Sequence, residues 1–271
     1  MNLYYRLLTC FIFNKNKRRN ARKVLNDDFT EFTNNEEKNC LLNTYLIHKK
    51  TFEKYKNMYA GRDVVIVGAG PTLIYYTPIK DAVHIGTNKT HLRQDLNIDF
   101  LFRQDFKEYE PELIQTDIPK FIGRFFYQDW DTCTESLVNK LKNSQQYILA
   151  SDIGRIPCDL SLEPLWHGGS VAFSAFQFAL YTNPKRIYLV GCDCAGAQDA
   201  KHWQHFDDKN FEQHNQMPIQ PLIDGWKKLF AFAKKYYPET EIISINPVGL
   251  KGETKDIYTK EYLEKHQKKE Q

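Results

Sequence analysis

Two histidines late in the chain are the candidates for proton transfer. They are His202 and His205, and they follow the predicted strand 186–190, which leads through Gly191 to Asp193. A neutral imidazole near the tip of a strand is the usual general base, because its pKa lies near working pH. On a helix, the spacing of three would place both rings on one side, so a metal site shared with Asp193 is the alternative. We favour the base, because no compact ligand motif is present.

A glycine turn follows the first predicted strand, in the stretch V-V-I-V-G-A-G-P-T at 64–72. Gly68 and Gly70 would let the backbone approach a phosphate or a ribose, and Pro71 suits the first turn of a helix. Leu73 stands where a dinucleotide fingerprint carries its third glycine, and the P-loop pattern is missing, which weakens both standard nucleotide interpretations. A tight turn that binds nothing is the alternative.

Three further polar segments are candidate ligand contacts. Asn88 follows the second predicted strand and would donate and accept hydrogen bonds towards a base or ribose, unless it only forms a turn. Gly168, Gly169 and Ser170 open a helix, where amide groups and the positive helix end would bind a phosphate or carboxylate. The acidic tripeptide 129–131, D-W-D, could hold a divalent metal with a nucleotide sugar, but we favour a loop with two acids, because the tripeptide is short and common by chance.

Alternating strands and helices from residue 63 onward must position these residues. Helices are predicted at Ser170 to Tyr181 and Pro221 to Tyr236, and strands at Val64 to Val67, Ala82 to Ile85, Phe100 to Phe102, Lys120 to Phe126, Tyr147 to Leu149, Arg186 to Val190 and Glu241 to Ile245. Short continuous apolar runs are typical of buried parallel strands. We therefore predict an α/β fold, a Rossmann-like, mostly parallel sheet flanked by helices, as a catalytic domain over 61–271 with an N-terminal helical extension over 1–60.

Composition narrows the class of protein. The chain has 271 residues, 42% of them hydrophobic, and a net charge of +3 that gives no indication of nucleic acid as a partner. Its six scattered cysteines are expected to be reduced thiols in a cytosol. The apolar start of the chain is followed by six cations between Lys15 and Lys23, which would anchor residues 1–25 on an anionic membrane surface or else belong to a helix packed on its own domain. No window reaches the ~18 apolar residues of a membrane span.

Taken in order, these motifs resemble the bacterial sialyltransferases of glycosyltransferase family 42. They are G-A-G-P-T-L, G-T-N-K-T, G-G-S-V-A, I-Y-L-V-G-C-D, K-H-W and E-I-I-S-I-N-P-V-G-L, over roughly residues 63 to 252. They are similar as well to the related domain of motility-associated flagellin glycosylation factors and of pterin diphosphokinase-like proteins. The resemblance implies a sialyltransferase-like variant of the GT-A fold.

Roles for individual residues follow from this resemblance. It implies that His202 is the catalytic base, with His205 second. It implies a nucleotide-sugar site at Gly68, Gly70, Pro71, Thr72, Asn88, Gln104, Asp105, Gly168, Gly169, Ser170, Asp193, Asn246 and Pro247.

The expected function is an inverting glycosyl transfer that requires no metal or other cofactor. The donor would be a CMP-linked nonulosonic acid, and the acceptor a glycan or lipid-linked glycan in cell-surface or lipooligosaccharide synthesis. The protein would be cytoplasmic, peripheral on the inner face of the cytoplasmic membrane, and a homo-oligomeric state is left open. The alternatives are a diphosphokinase of the hydroxymethylpterin type, with Mg-ATP bound at Asp193 and Asp105, and a non-catalytic module that binds nucleotides or glycans.

Overall fold

The structure is a computed structural model that describes most of the chain after residue 35. It describes residues 36–104, 111–125, 136, 138–150, 155–194 and 219–266. Residues 1–25, for which membrane binding is predicted, lie outside the described residues. None of the helices within those ranges is long and apolar enough to cross a bilayer.

Within the described residues, nine strands form one parallel sheet in the order β6-β5-β4-β3-β2-β1-β7-β8-β9. The strands are β1 (Asp63–Val67), β2 (Val83–Thr87), β3 (Phe100–Arg103), β4 (Lys120–Phe125), β5 (Ser144–Ala150), β6 (Leu165–Trp166), β7 (Arg186–Val190), β8 (Glu241–Ile245) and β9 (Lys255–Ile257). The helices are α1 (Glu36–Phe52), α2 (Pro111–Gln115), α3 (Val171–Tyr181), α4 (Ile219–Tyr236) and α5 (Lys260–His266). The predicted α/β fold with a Rossmann-like parallel sheet is confirmed.

Two cores cover the two faces of the sheet. On one face Val64 and Ile66 of β1 join a core rich in aromatic rings, whose Phe102 and Phe121 stack with ring centroids 4.6 Å apart. On the other face Val65 and Val67 join a mainly aliphatic core. Because both faces of the sheet are covered, side chains that point to either face are buried. This explains why the strands are uninterrupted apolar runs and do not alternate between apolar and polar residues.

Helix α3 lies at the centre of the aromatic face. All eleven of its residues, Val171 to Tyr181, are buried, and it packs on β1, β2, β3 and β6. A helix that is apolar on every side has no face suited to water and is buried as a whole. This agrees with the sequence prediction of a central helix over 170–181, with Ser170 as its N-cap.

The chain contributes to the main core before the predicted domain boundary at residue 60. Phe52 at the end of α1, and Tyr55 and Tyr59 after it, are buried in the aromatic core. Tyr55 meets Phe178 of α3 edge-on, with ring centroids 5.1 Å apart. Residues 52–59 therefore pack as part of the α/β layer.

Two strands were missed by the sequence analysis. β6 has two residues, too few to show a period, and β9 is an edge strand whose Lys255 and Ile257 are exposed. Both lie at the ends of the sheet, where a strand needs burial on fewer sides and its sequence is less constrained.

Candidate functional site

A cleft lies at the carboxyl ends of β1 and β7, where the order of the sheet reverses. The chain runs from β1 outward to β6 on one side and from β7 to β9 on the other. Open α/β sheets bind ligands in the crevice at such a switch point. The cleft is lined by Gly68, Ala69, Gly70, Thr87, Asn88, Ser170, Val171, Ala172, Gly191, Cys192, Asp193, Cys194, Leu222 and Trp226.

The glycine turn after β1 is fitted against the turn after β7. Gly68 N–H donates to the Val190 carbonyl at 2.7 Å, and Gly70 N–H donates to the Gly191 carbonyl at 2.8 Å. A Cβ on Gly70 would lie 2.6 Å from the Gly191 oxygen and 2.5 Å from Asp193 Oδ2. The contact between the two loops therefore requires glycine at these positions, whether or not a ligand also approaches them.

Asp193 holds the residue that follows this turn. Its Oδ2 accepts from Thr72 N–H at 2.8 Å and its Oδ1 accepts from the Thr72 hydroxyl, while both residues are nearly inaccessible to solvent. Burial raises the pKa of Asp193 to about 6, and the two hydrogen bonds from Thr72 oppose that rise. The Asp193 carbonyl also accepts from Gly249 N–H at 2.8 Å, so one residue joins the loops that follow β1, β7 and β8.

The start of α3 forms another wall of the cleft. Ser170 caps the helix by accepting from Ala172 N–H at 3.3 Å, and Gly169 has a φ of +93°, which an L side chain rarely adopts. A Cβ on Gly168 would lie 2.6 Å from the Phe173 ring. The predicted G-G-S segment thus opens a helix whose positive end borders the cleft, a position that favours an anionic group.

The other predicted site residues occupy different places. Asn88 lines the cleft in the left-handed conformation, with a φ of 53°. Gln104 donates to Ser174 Oγ of α3 at 3.0 Å. Asn246 is buried, and its amide accepts from Thr259 N–H at 2.8 Å.

Pro71 and Pro247 complete the placement of the described candidates. Pro71 is buried in the first position of the short 3-10 helix Pro71–Tyr75, as the turn pattern predicts. Pro247 borders a neighbouring groove. Of the predicted nucleotide-sugar contacts, the structure thus brings together at the cleft Gly68, Gly70, Asn88, Ser170 and Asp193.

The proposed proton-transfer residues His202 and His205 lie outside the described residues, as do Asp105 and the acidic tripeptide 129–131. Over the part of the chain that the structure does describe, no group of three or more His, Cys, Asp or Glu side chains is arranged to hold a metal ion.

Four side chains of the cleft wall were missed as site residues. Leu222 and Trp226 are one helical turn apart on the buried side of α4, a spacing visible in the sequence. Cys192 and Cys194 flank Asp193, and burial raises the pKa of Cys194 to about 12 and that of Cys192 well above its usual value. Both thiols are therefore protonated near neutral pH, and neither has the thiolate character of a nucleophile.

Comparison with known proteins finds a structural likeness but no sequence relative. No protein-family model and no curated protein sequence matches the chain. Among solved structures, the chain is similar to the sialyltransferase CstII from Campylobacter jejuni, determined in complex with the substrate analogue CMP-3FNeuAc. The match has 15% identity and a TM-score of 0.41, and it covers 68% of this chain and 80% of that one.

Proposed function

We propose that the cleft binds a CMP-linked sugar and that the protein is an inverting glycosyltransferase of the sialyltransferase-like kind. The observation that supports this proposal is the position of the cleft. It lies at the switch point of a parallel sheet, between a glycine turn and the amino end of a buried helix. Such a cleft suits a nucleotide whose phosphate lies near the start of α3.

The wall of the cleft has the groups that a departing nucleotide needs. Ser170 and the first residues of α3 border it, and the partial positive charge of a helix amino end favours an anion there. In the proposed reaction, negative charge grows on the phosphate as the bond from the anomeric carbon to the phosphate oxygen breaks. Fixed dipoles aimed at that charge stabilise the transition state without having to reorganise.

His202 is the proposed base. The acceptor hydroxyl oxygen forms a bond to the anomeric carbon from the side opposite the phosphate, its proton passes to the His202 imidazole, and CMP leaves. No metal ion takes part in this scheme. A lipid-linked glycan acceptor would be met at the cytoplasmic membrane face, with residues 1–25 on the anionic leaflet.

Nucleotide binding is tested first, through thermal stability. CMP at about 100 times its Kd should add ~2.7 kcal/mol to the free energy of unfolding. Asn88→Gly should reduce this stabilisation, because it removes a side chain of the cleft and keeps a residue suited to the positive φ. The matched control is Asn183→Gly, since Asn183 has a φ of 55° and is exposed after the carboxyl end of α3. Equal CMP stabilisation in both variants would remove Asn88 from the site.

Transfer is tested with CMP-N-acetylneuraminic acid as donor and an oligosaccharide acceptor. His202→Ala should keep the stabilisation by CMP and lose acceptor-dependent release of CMP, whereas His205→Ala should retain release. Full activity of His202→Ala would end its assignment as the base.

The same measurements discriminate the two alternative functions. A diphosphokinase would be stabilised by ATP with magnesium, and its activity would stop with a chelator. Both carboxylate oxygens of Asp193 accept from Thr72, so a metal bound there would have to replace those hydrogen bonds. A non-catalytic module would bind CMP but release none from the donor with any acceptor, whatever residue stands at 202.

A further inference from the structure

A second groove lies at the same edge of the sheet, beyond the carboxyl ends of β8 and β9. It is open to solvent and is lined by Pro247, Val248, Lys251, Tyr258, Tyr262, Leu263 and His266. We call it the tyrosine groove. No step of the proposed reaction uses these side chains.

Aromatic rings dominate its floor. Tyr262 contacts Tyr75 edge-on with ring centroids 5.5 Å apart, lies 4.3 Å from the His266 ring and 5.9 Å from the Tyr258 ring. Tyrosine offers an apolar face with a polar tip. A pyranose ring has the complementary chemistry, since its C–H groups pack on aromatic faces while its hydroxyls bond to polar tips. The cluster therefore suits a saccharide better than a purely apolar ligand.

The charge of the groove favours an acidic saccharide. Lys251 lines it and is exposed, and Lys265 lies over the Tyr75 ring with its Nζ 5.4 Å from the centroid. None of the described residues that line the groove carries a carboxylate. The nearby Asp256 accepts from Gly252 N–H at 2.8 Å and from the Tyr258 hydroxyl at 3.4 Å. A ligand with a carboxylate or phosphate would find a cation at the rim and rings on the floor.

Hydrogen-bonded loops after β1, β7 and β8 connect the groove with the cleft, and we call these loops the shared wall. Tyr75 ends the short 3-10 helix that contains Thr72, which bonds to Asp193, and Val248 precedes Gly249, which donates to the Asp193 carbonyl. Burial raises the pKa of the Tyr262 hydroxyl, and the charge of Asp193 adds to this rise. A ligand in the groove would thus lie next to a ligand in the cleft.

We propose that the tyrosine groove binds the acceptor, as an acidic oligosaccharide whose charged sugar lies on Tyr262 and Tyr258 beside Lys251. The inference rests on the proposed function, because it treats the cleft as the donor site. The end of the acceptor that reacts extends over the shared wall towards the donor.

The test measures saccharide binding to the full chain by ligand-observed NMR titration. The acidic probe is 3′-sialyllactose and the neutral probe is lactose. Tyr262→Ala and Lys251→Glu should each weaken binding of sialyllactose, by about tenfold for loss of one stacking or charge contact. The matched controls are Tyr236→Ala and Lys235→Glu, because this tyrosine and lysine are exposed on α4, with Nζ 4.9 Å from the ring centroid, and neither lines the groove. Both controls should bind sialyllactose as the unchanged protein does.

The outcomes separate this inference from the proposed function. If all four variants bind sialyllactose equally well and CMP still stabilises the protein, the tyrosine groove is not the acceptor site, while the donor site remains supported. If the unchanged protein binds lactose and sialyllactose with equal affinity, the groove does not prefer an acidic acceptor. If CMP fails to stabilise the protein while the groove variants alone lose sialyllactose, the saccharide site stands and the donor assignment fails. A urea-unfolding midpoint close to that of the unchanged protein shows that Tyr262→Ala and Lys251→Glu are folded, whether or not CMP binds.

Discussion

His48 and Asp193 are both buried titratable residues that form hydrogen bonds to segments far away in sequence. Burial lowers the pKa of His48 and raises the pKa of Asp193. His48 Nδ1–H donates to the carbonyls of Leu160 and Glu163 at 2.9 and 2.8 Å, and its Nε2 accepts from Ile148 N–H at 2.7 Å. Burial lowers its pKa to about 4. The neutral ring has a partner at both nitrogens, so it joins α1, β5 and the 160–163 segment without any charge.

The side chain of Asp193 bonds to one residue, whereas the ring of His48 bonds to three. Its carboxylate has both side-chain hydrogen bonds from one residue, Thr72, and burial raises its pKa to about 6. His48, which joins α1 to β5, thus stays neutral over the physiological pH range. The edge of the cleft is joined by a group that changes charge just below neutral pH. The comparison separates a residue that only supports the fold from one placed where a ligand would change its surroundings.

Removing His48 should have the largest effect on stability. His48→Ala leaves the buried Ile148 N–H and two carbonyls without their partner and opens a cavity, so the free energy of unfolding should fall by about 3 kcal/mol or more. Urea unfolding measures this, with Lys49→Ala on the exposed side of α1 as control. A loss below about 1 kcal/mol would show that the hydrogen bonds of His48 are replaceable.

The free energy of unfolding should depend on pH through both residues, with opposite sign for His48 and Asp193. Each of these effects should be somewhat smaller than the loss of stability in His48→Ala. The folded pKa of His48 lies below its ordinary 6.5, so its contribution to stability is lost as pH falls from 6.5 towards 4. The folded pKa of Asp193 lies above its ordinary 3.8, so its protonated form stabilises the fold at low pH and this is lost as pH rises from about 4 to 6. Each effect is about 3 kcal/mol, because the pKa changes from 6.5 to about 4 for His48 and from 3.8 to about 6 for Asp193, at 1.36 kcal/mol per pKa unit.

Asp193→Asn isolates the second of these two effects. An amide at this position still accepts from Thr72 N–H, and the Thr72 hydroxyl can accept in return. Relative to the unchanged protein, the variant should gain stability between pH 4 and 7, whereas Asp117→Asn on the surface should not. The measurement is urea unfolding at a series of pH values, and a constant difference across that range would contradict the titration of Asp193.

The smallest effect on stability should come from the ion pair at the amino ends of β1 and β7. Arg186 of β7 donates two hydrogen bonds of 2.7 Å to Asp63 of β1, at the amino ends of the strands and away from the cleft. Because this pair is partly exposed, Asp63→Asn should lower the urea midpoint only slightly and should leave stabilisation by CMP unchanged. A loss of CMP binding in Asp63→Asn would show that the strand pair transmits changes from one end to the other.

The sequence predicted most of the sheet but little of how the site is built. Seven strands were placed because runs such as 187–190 are apolar and bounded by polar residues or glycine. The contact of Gly70 with Gly191 and the bond of Thr72 to Asp193 connect residues some 120 positions apart. No local pattern encodes such a contact, so the glycines were assigned to a ligand. The aromatic residues after α1 were taken for an extension because their partners, such as Phe178, lie far along the chain.

The facing glycines after β1 and β7 also set a condition on sequence change. A Cβ on Gly68 would overlap the Gly191 carbonyl, and a Cβ on Gly191 would overlap the Gly68 carbonyl. Since each side chain would meet backbone, a smaller residue elsewhere cannot compensate for a substitution at either position. Homologues with this sheet should retain the two glycines as a pair, which makes G-x-G-P-T together with a later G-C-D a more selective search pattern than either motif alone.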